Sequence, residues 1–351
     1  MDCIDDTVNG TENNRLGVIT LAAHQWLGFV VNLSAYLLNI CLLYLVITKS
    51  KKMKNMRPLL LIGVFVDSTY AFLCLIVNPL FVLTKDNLVL VWNSVFRPNG
   101  DIMIYIIAIT GIFVAASWLC VPFQYNYRYY LIRYGTTPST KFFLIHGSIM
   151  TSLSFYACSV VYGTYYQDNF SSLCEVESFA ISVGLHSNDS RLFGGKIESA
   201  AVRHYVNFFT LISVFSIIVV LIAEMRVRFY LKQRAEVMSK RTRRMHNELT
   251  RALIAMALSP IFSNVSQMTY VSLNLYFDNR FIVTDAISSL CSITGPLINS
   301  ITTIYFVHPY RRHFKEILFV TTGDRTLISS DDSTPCVTPR PSHNRPEQFV
   351  L

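Results

Sequence analysis

The sequence predicts an all-α membrane protein, a bundle of seven transmembrane helices in one domain, and three observations predict it. Charge is scarce: of 351 residues, 52% are hydrophobic and only 15% charged, where soluble globular chains carry about 25%. Apolar runs recur, each near the roughly 20 residues that a helix needs to cross a bilayer. Basic residues gather in alternate gaps between those runs, as they do on the cytoplasmic side of membrane proteins.

The runs are Trp26 to Ile47, Leu59 to Leu83, Ile102 to Tyr125, Phe142 to Tyr166, Tyr205 to Ala223, Ala252 to Phe277 and Ile282 to Val307. They place helices at about 24–48, 58–84, 102–125, 141–166, 203–225, 251–277 and 282–307. An outer segment, 1–23, precedes them. Its opening residues MDCIDD lack the basic region of a cleavable signal, so the first helix is expected to direct insertion itself. Pro79, Pro260 and Pro296 fall in the second, sixth and seventh runs, where each removes a helical hydrogen bond and is expected to kink its helix. Residues 309–320 alternate basic and apolar positions, which suits an interfacial helix. The tail, 321–351, is rich in Ser, Thr and Pro and reads as disordered. Its hydroxyls beside Asp331 and Asp332 fit either phosphorylation or plain solvation, and its last residues, Phe349 to Leu351, offer a short match to ligands that add to a sheet edge.

Orientation follows from the basic residues. The gaps after the first, third and fifth runs, with the tail, hold 23 of the 30 Lys and Arg. The amino terminus is therefore expected outside and the carboxyl terminus in the cytoplasm. Sequons at Asn9, Asn169 and Asn188 fall on the outer side, where glycans are added. Those at Asn32 and Asn264 lie inside runs, out of reach of the enzyme. Only Cys3 and Cys174 lie outside the membrane on the disulfide-permissive side, so a bridge between them is open but unforced.

Polar groups inside a bilayer are functional candidates because they are expensive there. Asn39, Asp67 and Asn299 each lie roughly 12–13 Å from the inner end of their runs at about 1.5 Å per residue. They share a layer in which a cluster can form around the Asp67 carboxylate. That cluster reads either as glue between helices or as the hinge of a two-state switch. Asp285 starts the seventh run, where the helix dipole alone accounts for a carboxylate, and a contact to ligand is the sharper alternative. His146, one turn into the fourth run, suits a local hydrogen bond better than a metal. Tyr105, Gln267, Tyr270, Asn274, Asp285 and Ser289 occupy outer halves of runs and are candidates to line a ligand pocket.

Enzyme signatures are missing: the chain has no HExxH, no GxSxG, no phosphate loop and no glycine-rich dinucleotide turn. Nothing asks for a cofactor, a metal or a nucleic acid. A transporter would show internal repeats and several midplane charges, and neither is evident. A seven-helix ligand-gated channel of inverted topology would need its basic loops outside, against the distribution above.

The third run ends in VPFQYNYRYYLI, placing Arg128 at the inner membrane surface among tyrosines. Aromatic belts alone account for those tyrosines, and snorkelling alone for the arginine. The segment QYNYRYYL nevertheless resembles the Y-R-Y signature of nematode seven-transmembrane chemoreceptors of the Str superfamily, which includes the str, srj and srd families. LLNICLLYLVITKSKKM at 37–53 is similar to that group's first helix and loop and leans towards str. SKRTRRMHNELTRAL at 239–253 is similar to its third loop, and GPLINSITTIYFVHPYRRHF at 295–314 to its seventh-helix ending, whose HPYR leans towards srd. The similarity spans about 300 residues.

The resemblance implies a rhodopsin-like bundle in the plasma membrane of a sensory cilium, sensing odorants, tastants or pheromones and activating a heterotrimeric G protein. Arg128, flanked by Tyr127 and Tyr129, takes the place of the arginine that meets the G protein, with Tyr305 on the same coupling face. Tyr127 stands where an acidic neighbour is common, so Glu224 or Glu248 is left to restrain Arg128. Asn299 takes the place of the family's helix-seven Asn or Asp, but Ser300 replaces the Pro that follows it, leaving Pro296 to supply the kink. The third inner loop reads as helix continuing from both sides, with Glu224 to Arg228 and Glu236 to Lys240 as i, i+4 pairs. The expected partners are the G protein, a small-molecule ligand and membrane lipid.

Overall fold

The computed structural model describes residues 10–49, 57–84, 87–96, 100–165, 179–181, 185, 192–233, 270 and 282–322. In chain order the elements are α1 (Gly10–Lys49), α2 (Arg57–Val77), β1 (Pro79–Leu83), β2 (Asn87–Trp92), α3 (Gly100–Tyr134), α4 (Thr140–Tyr165), β3 (Leu192–Lys196), α5 (Ala200–Gln233), α6 (Ile282–Ile293), α7 (Gly295–Phe306) and α8 (His308–Thr322). Helices α1 to α5 are each long and apolar enough to cross a membrane, and α6 with α7 form a further span bent by 42°. Six of the seven runs are thus accounted for among the described residues. The sixth run, Tyr270 excepted, lies outside them, and so do Pro260, Gln267, Asn274, Glu248, Glu236, Cys3, Cys174, the sequons at Asn9, Asn169 and Asn188, and the tail from residue 323.

The helices outlast the apolar runs. α1 starts at Gly10, well before residue 24, α3 continues to Tyr134 and α5 to Gln233. Polar turns prolong a helix beyond hydrocarbon without loss, because water satisfies what the chain does not. On the α5 extension the expected Glu224–Arg228 pair forms at 2.8 Å. α3 packs against α2, α4 and α5, while α1 packs on α2 and on both halves of the bent span. Pro296 stands in the first turn of α7 and the break falls at Thr294, so this proline breaks its span as expected. Pro122 lies within α3 and was not singled out from sequence.

Pro79 does something else. Instead of kinking a helix over Leu59 to Leu83, it opens a strand. α2 stops at Val77, Asn78 adopts φ 42°, and Pro79–Leu83 is extended. The residue before a proline is pushed out of the α region and the proline has no N–H for the helix ladder, so the helix yields here. β1 pairs antiparallel with β2, Pro79 opposite Trp92, and β2 pairs antiparallel with β3, Asn87 opposite Lys196.

This sheet is buried on both faces. Leu88, Leu90 and Trp92 join the large core formed with α3, α4 and α5. Leu80, Val82, Val89 and Val91 pack the other way, against Leu21 of α1 and Ala286 of α6. The alternation is the period of two that a strand imposes. Asn78 ties the sheet to α1 by donating to the carbonyls of Gln25 at 3.2 Å and Asn93 at 2.9 Å. Asn93 in turn donates to the Leu21 carbonyl at 2.8 Å and lies 3.1 Å from His24 Nδ1. Gly28 faces Asn78 so closely that a β-carbon would overlap its side-chain amide.

Candidate functional site: a cavity, a polar layer and a buried arginine

Three features line up along α3. Nearest the sheet is a largely enclosed cavity of about 60 Å³. Pro79, Phe81 and Leu90 form its sheet wall, Tyr70 and Val77 come from α2, and Ile107, Thr110, Gly111, Val114 and Trp118 from α3. Val161 and Tyr165 of α4, Tyr205 and Phe209 of α5 and Ser292 of α6 complete the described lining. Gly111 is there because α3 meets α4 so tightly that a β-carbon would clash with Val161. Two of the polar groups are already committed to their own backbones: Thr110 donates to the Ile106 carbonyl at 2.8 Å and Ser292 to that of Ser289 at 2.7 Å.

The pocket candidates named from sequence fare unevenly. Tyr105 is 58% exposed and stacks on Tyr162 at 6.0 Å, outside the cavity, because its position on α3 faces away from the core. Ser289 is buried and accepts a hydrogen bond from the Phe81 amide at 3.0 Å, clamping the sheet. Asp285 is buried but does not line the cavity. Tyr270 lies 2.9 Å from the Thr284 hydroxyl. The residues that do line it escaped notice because Tyr70, Tyr165 and Tyr205 sit in apolar runs, where only their hydroxyls set them apart.

The polar layer lies one to two turns deeper. Asp67 accepts from Ser117 at 3.2 Å on one oxygen and from Asn299 at 3.1 Å on the other. Asn39 donates to the Pro296 carbonyl at 3.1 Å, one turn before Asn299. The three predicted residues therefore do converge, with Asn39 reaching the layer through the backbone of α7. Ser117 was missed, since a serine in a helix carries no signal of its own. A void of about 10 Å³ between Asp67, Gln124, Asn299 and Thr303 borders the layer.

At the opposite end from the sheet lies Arg128. It is fully buried, so snorkelling to the headgroups, the plainer of the two readings of the sequence, does not describe it. Glu224 of α5 and Tyr125 lie close to its guanidinium. Glu224 is itself buried and accepts from Arg228 Nε at 2.8 Å. Tyr127 is buried against Phe142 and Phe143, and Tyr129 accepts from Arg133 at 2.9 Å. Tyr305 is 59% exposed, with the Arg311 guanidinium 5.9 Å from its ring, so it does not share this buried cluster. His146 meets the Phe142 carbonyl at 3.0 Å, the local bond expected of it. Among the described residues no cluster of His, Cys, Asp and Glu suits a metal.

Residues 25–316 match the family described as serpentine type 7TM GPCR chemoreceptor Srd. The chain belongs to the Srd chemoreceptors. Of the two leanings in the sequence, the HPYR ending was the better guide. Over 101 residues the chain is 31% identical to serpentine receptor class delta-19 of Caenorhabditis elegans, a stretch covering 29% of this chain and 30% of that one. The match thus spans under a third of that relative's length. Squid rhodopsin shares the fold, with a TM-score of 0.56 over 86% of this chain and 87% of that one at 15% identity. This Srd chain is a multi-pass membrane protein of a receptor family, and channel or transporter readings find no support in these matches.

Proposed function

We propose that this Srd receptor detects a small molecule in the cavity beneath the sheet and activates a heterotrimeric G protein through the end that carries Arg128. The sheet end faces the outside and the Arg128 end the cytoplasm, in keeping with 23 of the 30 Lys and Arg lying in gaps and tail on that side. The receptor works in the plasma membrane of a sensory cell, with the cilium as the expected site.

The observation that carries this reading is the burial of Arg128 beside Glu224. A buried arginine with a carboxylate from another helix close to it reads as a closed latch, and a latch implies an open state that something stabilises. A ligand that binds the cavity more tightly when α3 and α5 separate at the far end would shift that equilibrium, and only by as much as its preference for one state. The Asp67 layer lies between the two ends and belongs to α2, α3 and α7, where a rearrangement would be transmitted.

The test is agonist-driven nucleotide exchange on a heterotrimeric G protein by the receptor in lipid nanodiscs, with Arg128→Ala alongside. The expected result is loss of exchange in Arg128→Ala at equal folded receptor. Ligand responses that survive both Arg128→Ala and removal of the G protein would overturn the coupling.

A further inference from the structure

The cavity has walls of one chemical kind. None of its described lining residues is Asp, Glu, Lys, Arg or His. In the sequence, no such residue occurs between Arg251 and Asp278 either. An ammonium or a carboxylate held there would be desolvated with no opposite charge to receive it. Among the described lining, the buried Tyr165 hydroxyl completes no hydrogen bond of normal geometry; the group beside it is Tyr205, whose ring stands edge-on at 5.7 Å. A buried donor without a partner is costly, and an acceptor on a ligand removes that cost.

Size restricts the ligand further. A cavity of about 60 Å³ is well under the roughly 150 Å³ that holds benzene in an apolar protein site, so the ligand is smaller than benzene. Phe81 and Leu90 set that limit from the sheet side. They face inward by strand alternation, and the sheet behind them is backed by a second apolar layer that resists retreat.

We infer that the cavity takes a small uncharged organic molecule carrying one hydrogen-bond acceptor, bound through Tyr165, and that Phe81 and Leu90 of the sheet fix its length. This rests on the receptor reading above but concerns the ligand alone. The probes are five molecules of nearly equal length: 2-butanone, 1-butanol, butanoate, butylamine and 1-chlorobutane. Binding to the purified full chain is read as a ligand-induced thermal shift, and nucleotide exchange is measured in parallel.

2-Butanone and 1-butanol are expected to bind, and butanoate and butylamine to leave the transition unmoved. Tyr165→Phe should weaken 2-butanone about tenfold, equivalent to about 1.4 kcal/mol, without changing 1-chlorobutane. Leu90→Ala should move the preferred ketone from 2-butanone towards 2-hexanone, and Leu90→Val is the milder variant should Leu90→Ala fail to fold. Binding of the charged probes, indifference of 2-butanone to Tyr165→Phe, or binding by none of the five overturns the inference. Binding of 2-butanone without nucleotide exchange would sink the receptor reading and leave the cavity's chemistry standing. Exchange driven by butanoate or butylamine would do the reverse.

Discussion

Asn299 reaches across the bundle to Asp67, 232 residues earlier in the chain, and donates to its carboxylate at 3.1 Å. Ser117 holds the other oxygen, so one acid joins three helices. Interhelical hydrogen bonds in membranes contribute about 0.6–2 kcal/mol each. A double-mutant cycle of Asp67→Ala and Asn299→Ala, read by thermal unfolding in detergent, should return a coupling of that size. The same variants separate glue from switch. If the layer is glue alone, exchange per folded receptor stays at the wild-type value; a switch changes basal or ligand-driven exchange as well.

Glu224 supplies the second prediction. The acidic neighbour usual before a helix-three arginine is replaced by Tyr127, and among the described residues Glu224 of α5 is a carboxylate close to Arg128. Removing its charge takes one stabilising carboxylate from Arg128 in the closed state only, so the open state gains. Glu224→Gln should raise ligand-free nucleotide exchange several-fold. Arg228→Gln, which touches the exposed side of the same carboxylate, should have a much smaller effect, because solvent screens that pair. Equal basal exchange in Glu224→Gln and wild type would show that Arg128 is not latched by this residue.

How much of this was legible follows from which signals are periodic. The spans announce themselves through run length, and the layer of Asn39, Asp67 and Asn299 through depth, since few amides or acids occur in hydrocarbon. The sheet was illegible because Pro79 to Leu83 continues an apolar run, and a short apolar stretch reads equally as strand or helix. Only Asn78-Pro79 marked the break, and a proline in a membrane run is as often a kink. Arg128 was legible as a motif but not in its burial, which depends on α5 carrying Glu224 to the same depth.

Orientation has its own test. With the sheet end outside, Asn9, Asn169 and Asn188 meet the glycosylation machinery, while Asn32 is buried in α1 and donates to the Cys74 carbonyl at 3.3 Å. Each Asn→Gln substitution at the three outer sequons should remove one endoglycosidase-sensitive step on a gel. Asn32→Gln should remove none and should instead lower stability by about 1 kcal/mol for the lost interhelical bond. Glycans that persist when all three outer sequons are removed would reverse the topology.

The junction between α2 and β1 gives the last prediction, because two separable effects meet at Asn78. Its φ of 42° is a left-handed conformation that a plain L side chain adopts at a cost of about 1–2 kcal/mol. Its amide also binds the Gln25 and Asn93 carbonyls, bonds contributing about 1 kcal/mol each. Asn78→Gly forfeits the bonds but keeps the backbone relaxed, whereas Asn78→Ala forfeits both. Asn78→Ala should therefore be the more destabilising by about 1 kcal/mol, reversing the usual order of Ala over Gly. Gly28→Ala attacks the same joint from α1, since its β-carbon must displace the Asn78 amide. It should lower the unfolding temperature and weaken ligand binding together, because the strand that carries Phe81 starts one residue after Asn78. Unfolding temperatures that rank Asn78→Gly below Asn78→Ala would mean the hydrogen bonds, not the backbone turn, position the sheet.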